Sequence, residues 1–145
     1  MAAKPIPEGY RSVTPYMICP GASKVIDFVR ETFGAEELFR MPGPNGTIAH
    51  AEFRIGDCII MISDGGEMYP PMPSSLYVYV DNVDETYKKA IRAGGTSLKE
   101  PADQFYGDRS ASVKDFAGNI WGIATHVEDV PPEEMEKRAK AAGMQ

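Results

Sequence analysis

The chain is poor in the residue types that most often declare a chemistry. Of its 145 residues only two are cysteine, Cys19 and Cys58, far apart and outside any CxxC pair. They read as small buried hydrophobes, with a disulfide between them left open. Only two histidines occur, His50 and His126. No run of Lys or Arg appears, and 15 basic against 21 acidic residues leave a net charge of −6. Binding a phosphate backbone needs clustered cations, so nucleic acid is excluded as a partner. The opening "MAAKPIPEGY" lacks the apolar core of a signal peptide, and no apolar run is long enough to span a bilayer. No membrane partner and a cytoplasmic location are expected. Nor does a Gly-rich loop join a strand to a helix where it could cradle a nucleotide-like cofactor, so no cofactor is expected.

What the chain does contain is a pattern written twice. An apolar fraction of 43% with 25% charged residues suits one soluble domain over residues 1–145. "SVTPYMIC" (12–19) alternates as a strand, at an edge because Pro15 cannot donate to a ladder. "ASKVIDFVRETFG" (22–34) sets Val25, Ile26, Val29 and Phe33 on one stripe, a helix that Gly34 stops. Strands follow at 36–41, 48–55 and 58–63, divided by the turns "GPNG" and "GD". A Gly- and Pro-rich linker (65–73) leads to a strand at 75–80 and a helix at 83–93, opened by the Asn82/Glu85 capping pair. A short strand near 97–100, the loop "ADQFYGDR", a strand near 109–114, the turn "DFAGN" and the strand "NIWGIATH" complete the order. Aligning "DCIIMIS" with "GNIWGIA" pairs Met61 with Gly122 and Thr14 with Ser75, at a separation of 47 residues in each half. The chain therefore reads as an α+β fold of two tandem βαβββ modules, 10–64 and 74–126, with a C-terminal helix over 131–142. That helix has only a thin apolar stripe of Met135, Ala139 and Ala142, suited to clasping a surface or a partner subunit.

The doubled order, with "VDNVDETYKKAIRAGG" and "DFAGNIWGI", resembles the vicinal oxygen chelate superfamily, which groups glyoxalase I, bleomycin-resistance proteins and extradiol dioxygenases. "VTPYMIC", "FGAEELFRMPGPNG", "HAEFRIGDCIIMISD" and "GNIWGIATHVEDV" are similar to its PhnB-like subgroup. The resemblance spans residues 10–126 and implies a curved mixed sheet around a concave cavity. For members that do chemistry it also implies a divalent metal held by four strand positions, two from each module. Carried over, those positions are Thr14, Met61, Ser75 and Gly122. Two hydroxyls, a thioether and a missing side chain do not supply the imidazole or carboxylate donors such an ion needs. No metal is expected. The methyltransferase label of some relatives is not expected to apply either, for want of a cofactor loop.

In this fold the helices cover the convex side, so strand parity sorts the side chains. Leu76, Val78, Val80, Ile60, Ile62, Trp121 and Ile123 fall to the helix-packed core. Thr14, Tyr16, Met61, Ser75, Tyr77, Tyr79, Gly122 and Ala124 fall to the cavity, and "IAHAEFRIG" (48–56) adds His50 and Glu52. Met61 and Gly122, standing where carboxylates would be, are expected to leave the cavity centre dry and roomy. Tyr16, Tyr77 and Tyr79 are candidates for a stacking wall, or are strand tyrosines favoured by half-burial. Phe105 is grouped with them. Arg109, after "QFYGD", could anchor an anionic ligand group through its planar fork, or pair with Asp108 or another acid. His50 and Glu52 read as polar wall, as an acid/base pair, or, with His126, as unorthodox metal ligands. The favoured expectation is a metal-free homodimer that sequesters a small organic, partly aromatic molecule. The alternatives are a glyoxalase- or dioxygenase-like enzyme acting through His50 and Glu52, and a regulatory module with a vestigial cavity.

Overall fold

The structure, a computed structural model, describes residues 2–143. The elements run β1 (Tyr16–Ile18), α1 (Ala22–Phe33), β2 (Glu36–Pro42), β3 (Ile48–Ile55) and β4 (Cys58–Ser63) in the first module. β5 (Ser75–Tyr79), α2 (Val83–Arg92), β6 (Thr96–Asp103), β7 (Asp108–Lys114) and β8 (Ile120–His126) form the second, and α3 (Pro132–Ala141) follows. Two four-stranded mixed sheets result, ordered β1-β4-β3-β2 and β5-β8-β7-β6. In each, the module's opening strand lies parallel to its last, and the remaining pairs are antiparallel.

The local chemistry explains most boundaries. α1 ends at Gly34, whose φ of 67° closes the helix in the left-handed conformation glycine accepts without penalty. Asn82 caps α2 by accepting from Glu85 N at 3.2 Å. Proline accounts for two departures from the sequence reading. Pro15 offers only its carbonyl, taken by Met61 N at 2.9 Å, so β1 begins at Tyr16 and Thr14 lies outside it. β6 is longer than expected, because Pro101 falls in the irregular stretch between Lys99 and Ala102 on an edge strand, where a missing amide is tolerated.

The core joins the modules. α1 packs on β2 and β3, α2 packs on β6, β7 and β8, and the two helices pack on each other. Val25, Ile26, Val29, Phe53, Ile62 and Ile123 are fully buried there. Trp121 sits at the joint with no exposed surface, its ring 6.2 Å from Phe28 and 5.6 Å from Phe33 of α1. Its indole N–H donates to Asp115 at 2.9 Å, and Asp115 also accepts from the backbone amides of Ala117 and Asn119, which fixes the "DFAGN" turn. Cys19 and Cys58 are both free thiols. α3 buries no side chain and is tied down by Arg138, which grips both carboxylate oxygens of Glu128 at 2.8 Å and the Phe105 carbonyl at 3.2 Å. Among the described residues, no helix is long and apolar enough to cross a membrane.

Candidate functional site

With helices on one side of each sheet, the alternate residues of every strand show on the other. On the first sheet the register Tyr16, Met61, Glu52, Phe39 runs straight across β1, β4, β3 and β2. His50 lies one row further along, opposite Met41. The side chains on this face are bonded into a chain. The Tyr16 hydroxyl meets His50 Nδ1 at 3.2 Å, and His50 Nε2 meets Glu52 Oε2 at 2.8 Å. The other oxygen of Glu52 accepts from the hydroxyl of Tyr10, which precedes every regular element. The Tyr16 and Phe39 rings flank the imidazole at 5.7 and 6.4 Å.

The second sheet carries a cluster around Asp108, a buried carboxylate at the first position of β7. Tyr77 and Tyr79 donate to its Oδ2 at 2.8 and 2.9 Å, and His126 Nδ1 meets its Oδ1 at 2.8 Å. The second ring nitrogen of His126 is 2.7 Å from Asp129. Burial alone would raise the Asp108 carboxyl, but the bonds from His126, Tyr77 and Tyr79 outweigh it and hold it below its ordinary value. The bonds to Asp108 and then Asp129 push the His126 imidazole up. Burial first and the Asp108 bond second push the Tyr77 phenol up; for Tyr79 the bond is the larger cause. The two phenol rings meet edge to face at 5.3 Å. Beside them a cleft of about 310 Å³ is lined by Ser75, Tyr77, Lys99, Ser110, Ser112 and Gly122. A larger cleft of about 740 Å³ follows the free edge of β5 and reaches helix-side residues such as Phe33, Leu76 and Val78, but none of His50, Glu52, Met61 or Gly122 lines it.

The structure thus assembles two groups: Tyr16, His50, Glu52 and Met61 on one sheet, and Ser75, Tyr77, Tyr79 and Gly122 on the other. Five expectations change. The space over Gly122 is not empty, because a Cβ built there would lie 2.6 Å from Cδ1 of Tyr77, whose ring covers the glycine. Arg109 faces away from the cavity: alternation along β7 turns it toward α2, where it grips Asp84 at 2.9 and 3.0 Å and Asp103 at 3.3 Å. His126 is not brought to His50 and Glu52, since it belongs to the Asp108 cluster. Phe105 stands in the β6–β7 turn, edge to face with Tyr106 at 5.2 Å, with its carbonyl held by α3. Thr14 gives its hydroxyl to the Arg11 carbonyl at 3.1 Å rather than to a shared site.

Asp108 and Tyr10 were the residues the sequence reading missed. Starting β7 at Asp108 instead of Arg109 would have placed it on the cavity face with Ser110 and Ser112. Tyr10 had no such signal, as no periodic segment contains it. The four positions that would hold a divalent ion do not fit one. Met61 and Gly122 offer no hard donor, and no group of three or more His, Cys, Asp or Glu among the described residues is placed to hold a metal.

The geometry has clear relatives. A protein of Mycobacterium bovis, described as uncharacterized, is 31% identical over 143 residues, covering 91% of this chain and 94% of its own length. Among solved structures, TioX from Micromonospora sp. ML1 superposes with a TM-score of 0.69 at 26% identity, covering 81% of this chain and 99% of its own. A PhnB protein from Bacillus cereus, described as a putative 3-demethylubiquinone-9 3-methyltransferase, gives 0.63 at 18% identity, over 79% and 99%. At that identity it speaks for the fold alone. The family model matches residues 14–123, and with the doubled βαβββ sheets it places this chain in the glyoxalase/bleomycin resistance protein/dioxygenase superfamily.

Proposed function

We propose that the protein binds a small, partly aromatic organic molecule on its concave faces without using a metal, in a sequestering or resistance-like role. The observation that carries this reading is the exposure of large side chains on both faces: Tyr16 46%, Phe39 47%, Met41 50%, Tyr77 48% and Tyr79 61%. Apolar and aromatic surface collected on a concave, polar-rimmed face marks a place that something else covers. We propose further that two chains pair, the first-sheet face of one meeting the second-sheet face of its partner. The ligand then lies between Tyr16, His50 and Glu52 on one side and Tyr77, Tyr79 and Gly122 on the other. Light scattering at micromolar concentration is expected to give about twice the 15.9 kDa chain mass. Thermal-shift screening of aromatic metabolites and antibiotics is expected to find a stabilising ligand, with unchanged affinity after chelator treatment. A clean monomer without any stabilising ligand removes the proposal.

A second reading is favoured by one observation. The order Tyr16, His50, Glu52, with contacts of 3.2 and 2.8 Å, is that of a hydroxyl, a base and an orienting carboxylate. An acid/base enzyme built on it keeps ligand affinity and loses turnover in His50→Ala. A binder shows no turnover in either form.

A further inference from the structure

In the side-chain network on each concave face the hydrogens that a ligand would accept are already donated within the network. Glu52 is an acceptor on both oxygens when ionised, and it takes the Tyr10 O–H and His50 Nε2–H. In the neutral imidazole this leaves Nδ1 as an acceptor, which the Tyr16 hydroxyl fills at 3.2 Å. On the second sheet, Tyr77 and Tyr79 give their protons to Asp108, and His126 is bonded through one nitrogen to Asp108 and through the other to Asp129. What these two networks themselves leave for a ligand is the lone pairs of the phenol oxygens and the faces of the rings. A hydroxyl that donates to an anionic network becomes a better acceptor. The ring faces carry the negative part of the aromatic quadrupole.

We propose, taking the concave faces to be the ligand site, that they select an aromatic cation carrying N–H donors over an anion built on the same ring. An ammonium or ring N–H gives the phenol oxygens the hydrogens they lack and sits against aromatic faces that attract positive charge. A carboxylate would bring lone pairs to lone pairs beside Glu52, and a desolvated acceptor without a donor is costly. The chain's net charge of −6 favours the approach of cations as well. Lys99 and the hydroxyls of Ser75, Ser110 and Ser112 line the cleft of the second sheet, so the stronger selection belongs to the first.

The test is isothermal titration of the whole protein near neutral pH with 9-aminoacridine, a cation, and with acridine-9-carboxylate, an anion on the same ring. The amine is expected to bind at least about tenfold tighter. Glu52→Gln brings amide hydrogens into the centre of the first network, and Tyr16→Phe removes its outermost acceptor. Each is expected to cut the preference to about threefold or less. A carboxylate that binds as tightly as the amine overturns the selection while leaving the ligand site standing. A preference that survives in both variants also overturns it. If neither acridine binds, the ligand-site reading falls and takes the selection with it.

Discussion

Met61 stands at the centre of the first sheet and Gly122 at the same place in the second, and the tyrosine beside each behaves accordingly. Both tyrosines come from the module's opening strand and reach toward the third strand of their sheet. Tyr16 meets His50 from beside a long thioether, whereas the Tyr77 ring fills the space over Gly122 and its hydroxyl meets Asp108. The helix caps diverge in a similar way. Asp64, after β4, accepts from Gly21 N at 2.7 Å and Ile48 N at 2.6 Å. Thr125, at the matching place in β8, accepts from Val83 N at 2.9 Å and returns its own proton to the Val80 carbonyl. One backbone plan has been kept while the polar network on each module was built from different residues. The backbone plan needs only periodicity and caps; the networks depend on single side chains.

The largest expected effect tests whether the modules are one folding unit. Trp121→Ala empties the joint between α1 and β8 and leaves Asp115 without its indole donor. It is expected to cost about 3–5 kcal/mol in urea unfolding, still in a single transition. Ile60, the counterpart of Trp121 in β4, makes no polar bond through its side chain, so Ile60→Ala should cost less, about 2–4 kcal/mol. Two separate transitions in the tryptophan variant would break the picture of a shared core.

The next experiment exchanges the central residue. Gly122→Met gives the second module the residue of the first, and its Cβ meets the Tyr77 ring at a distance no side chain tolerates. Expelling Tyr77 from Asp108 is expected to cost about 1–3 kcal/mol. Tyr77→Ala in the same chain should return part of that loss, since the space is then free. Additive losses in the double variant would show that the two residues do not compete for one space.

These pairings also mark what the sequence could and could not disclose. The α1 stripe, the Asn82 cap, the repeat of 47 residues and the parity of Ile62 and Ile123 are local or periodic, so they were legible without coordinates. The covering of Gly122 was not, because an absent side chain looks the same whether its space is empty or filled by a neighbour. Asp108 was lost because a strand begun at Arg109 leaves it in the preceding loop, where alternation assigns it no face. Arg109 went astray because its role was read from its planar fork and not from alternation along β7. Its partner Asp84 is close only once α2 is laid against β7.

Smaller effects are expected at the caps. Asp64→Ala leaves three backbone amides without their acceptor and should cost about 1–2 kcal/mol. Thr125→Val, which leaves a single amide, Val83 N, without its acceptor and takes one donor from the Val80 carbonyl, should cost about 0.5–1 kcal/mol. Equal losses in chemical denaturation would mean that the two capping schemes are interchangeable in energy as well as in position.

The smallest effect is a pH dependence confined to the second module. Asp108 is held below its ordinary value of 3.8, so its contribution is complete above that pH and is lost as pH falls through the lowered value. His126 is held above its ordinary value of 6.5, so its contribution is complete below that pH and is lost as pH rises through the raised value. Both are therefore in force between 3.8 and 6.5, and the alkaline loss belongs to the histidine. His126 is half exposed, so water screens the pair and the change is small. Urea midpoints of the wild type should fall between about pH 5 and pH 8.5, and those of His126→Gln should fall less. The variant starts lower at the acid end and converges on the wild type at the alkaline end. Parallel curves would mean that the Asp108 bond does not favour the charged imidazole. The second module would then differ from the first in geometry alone.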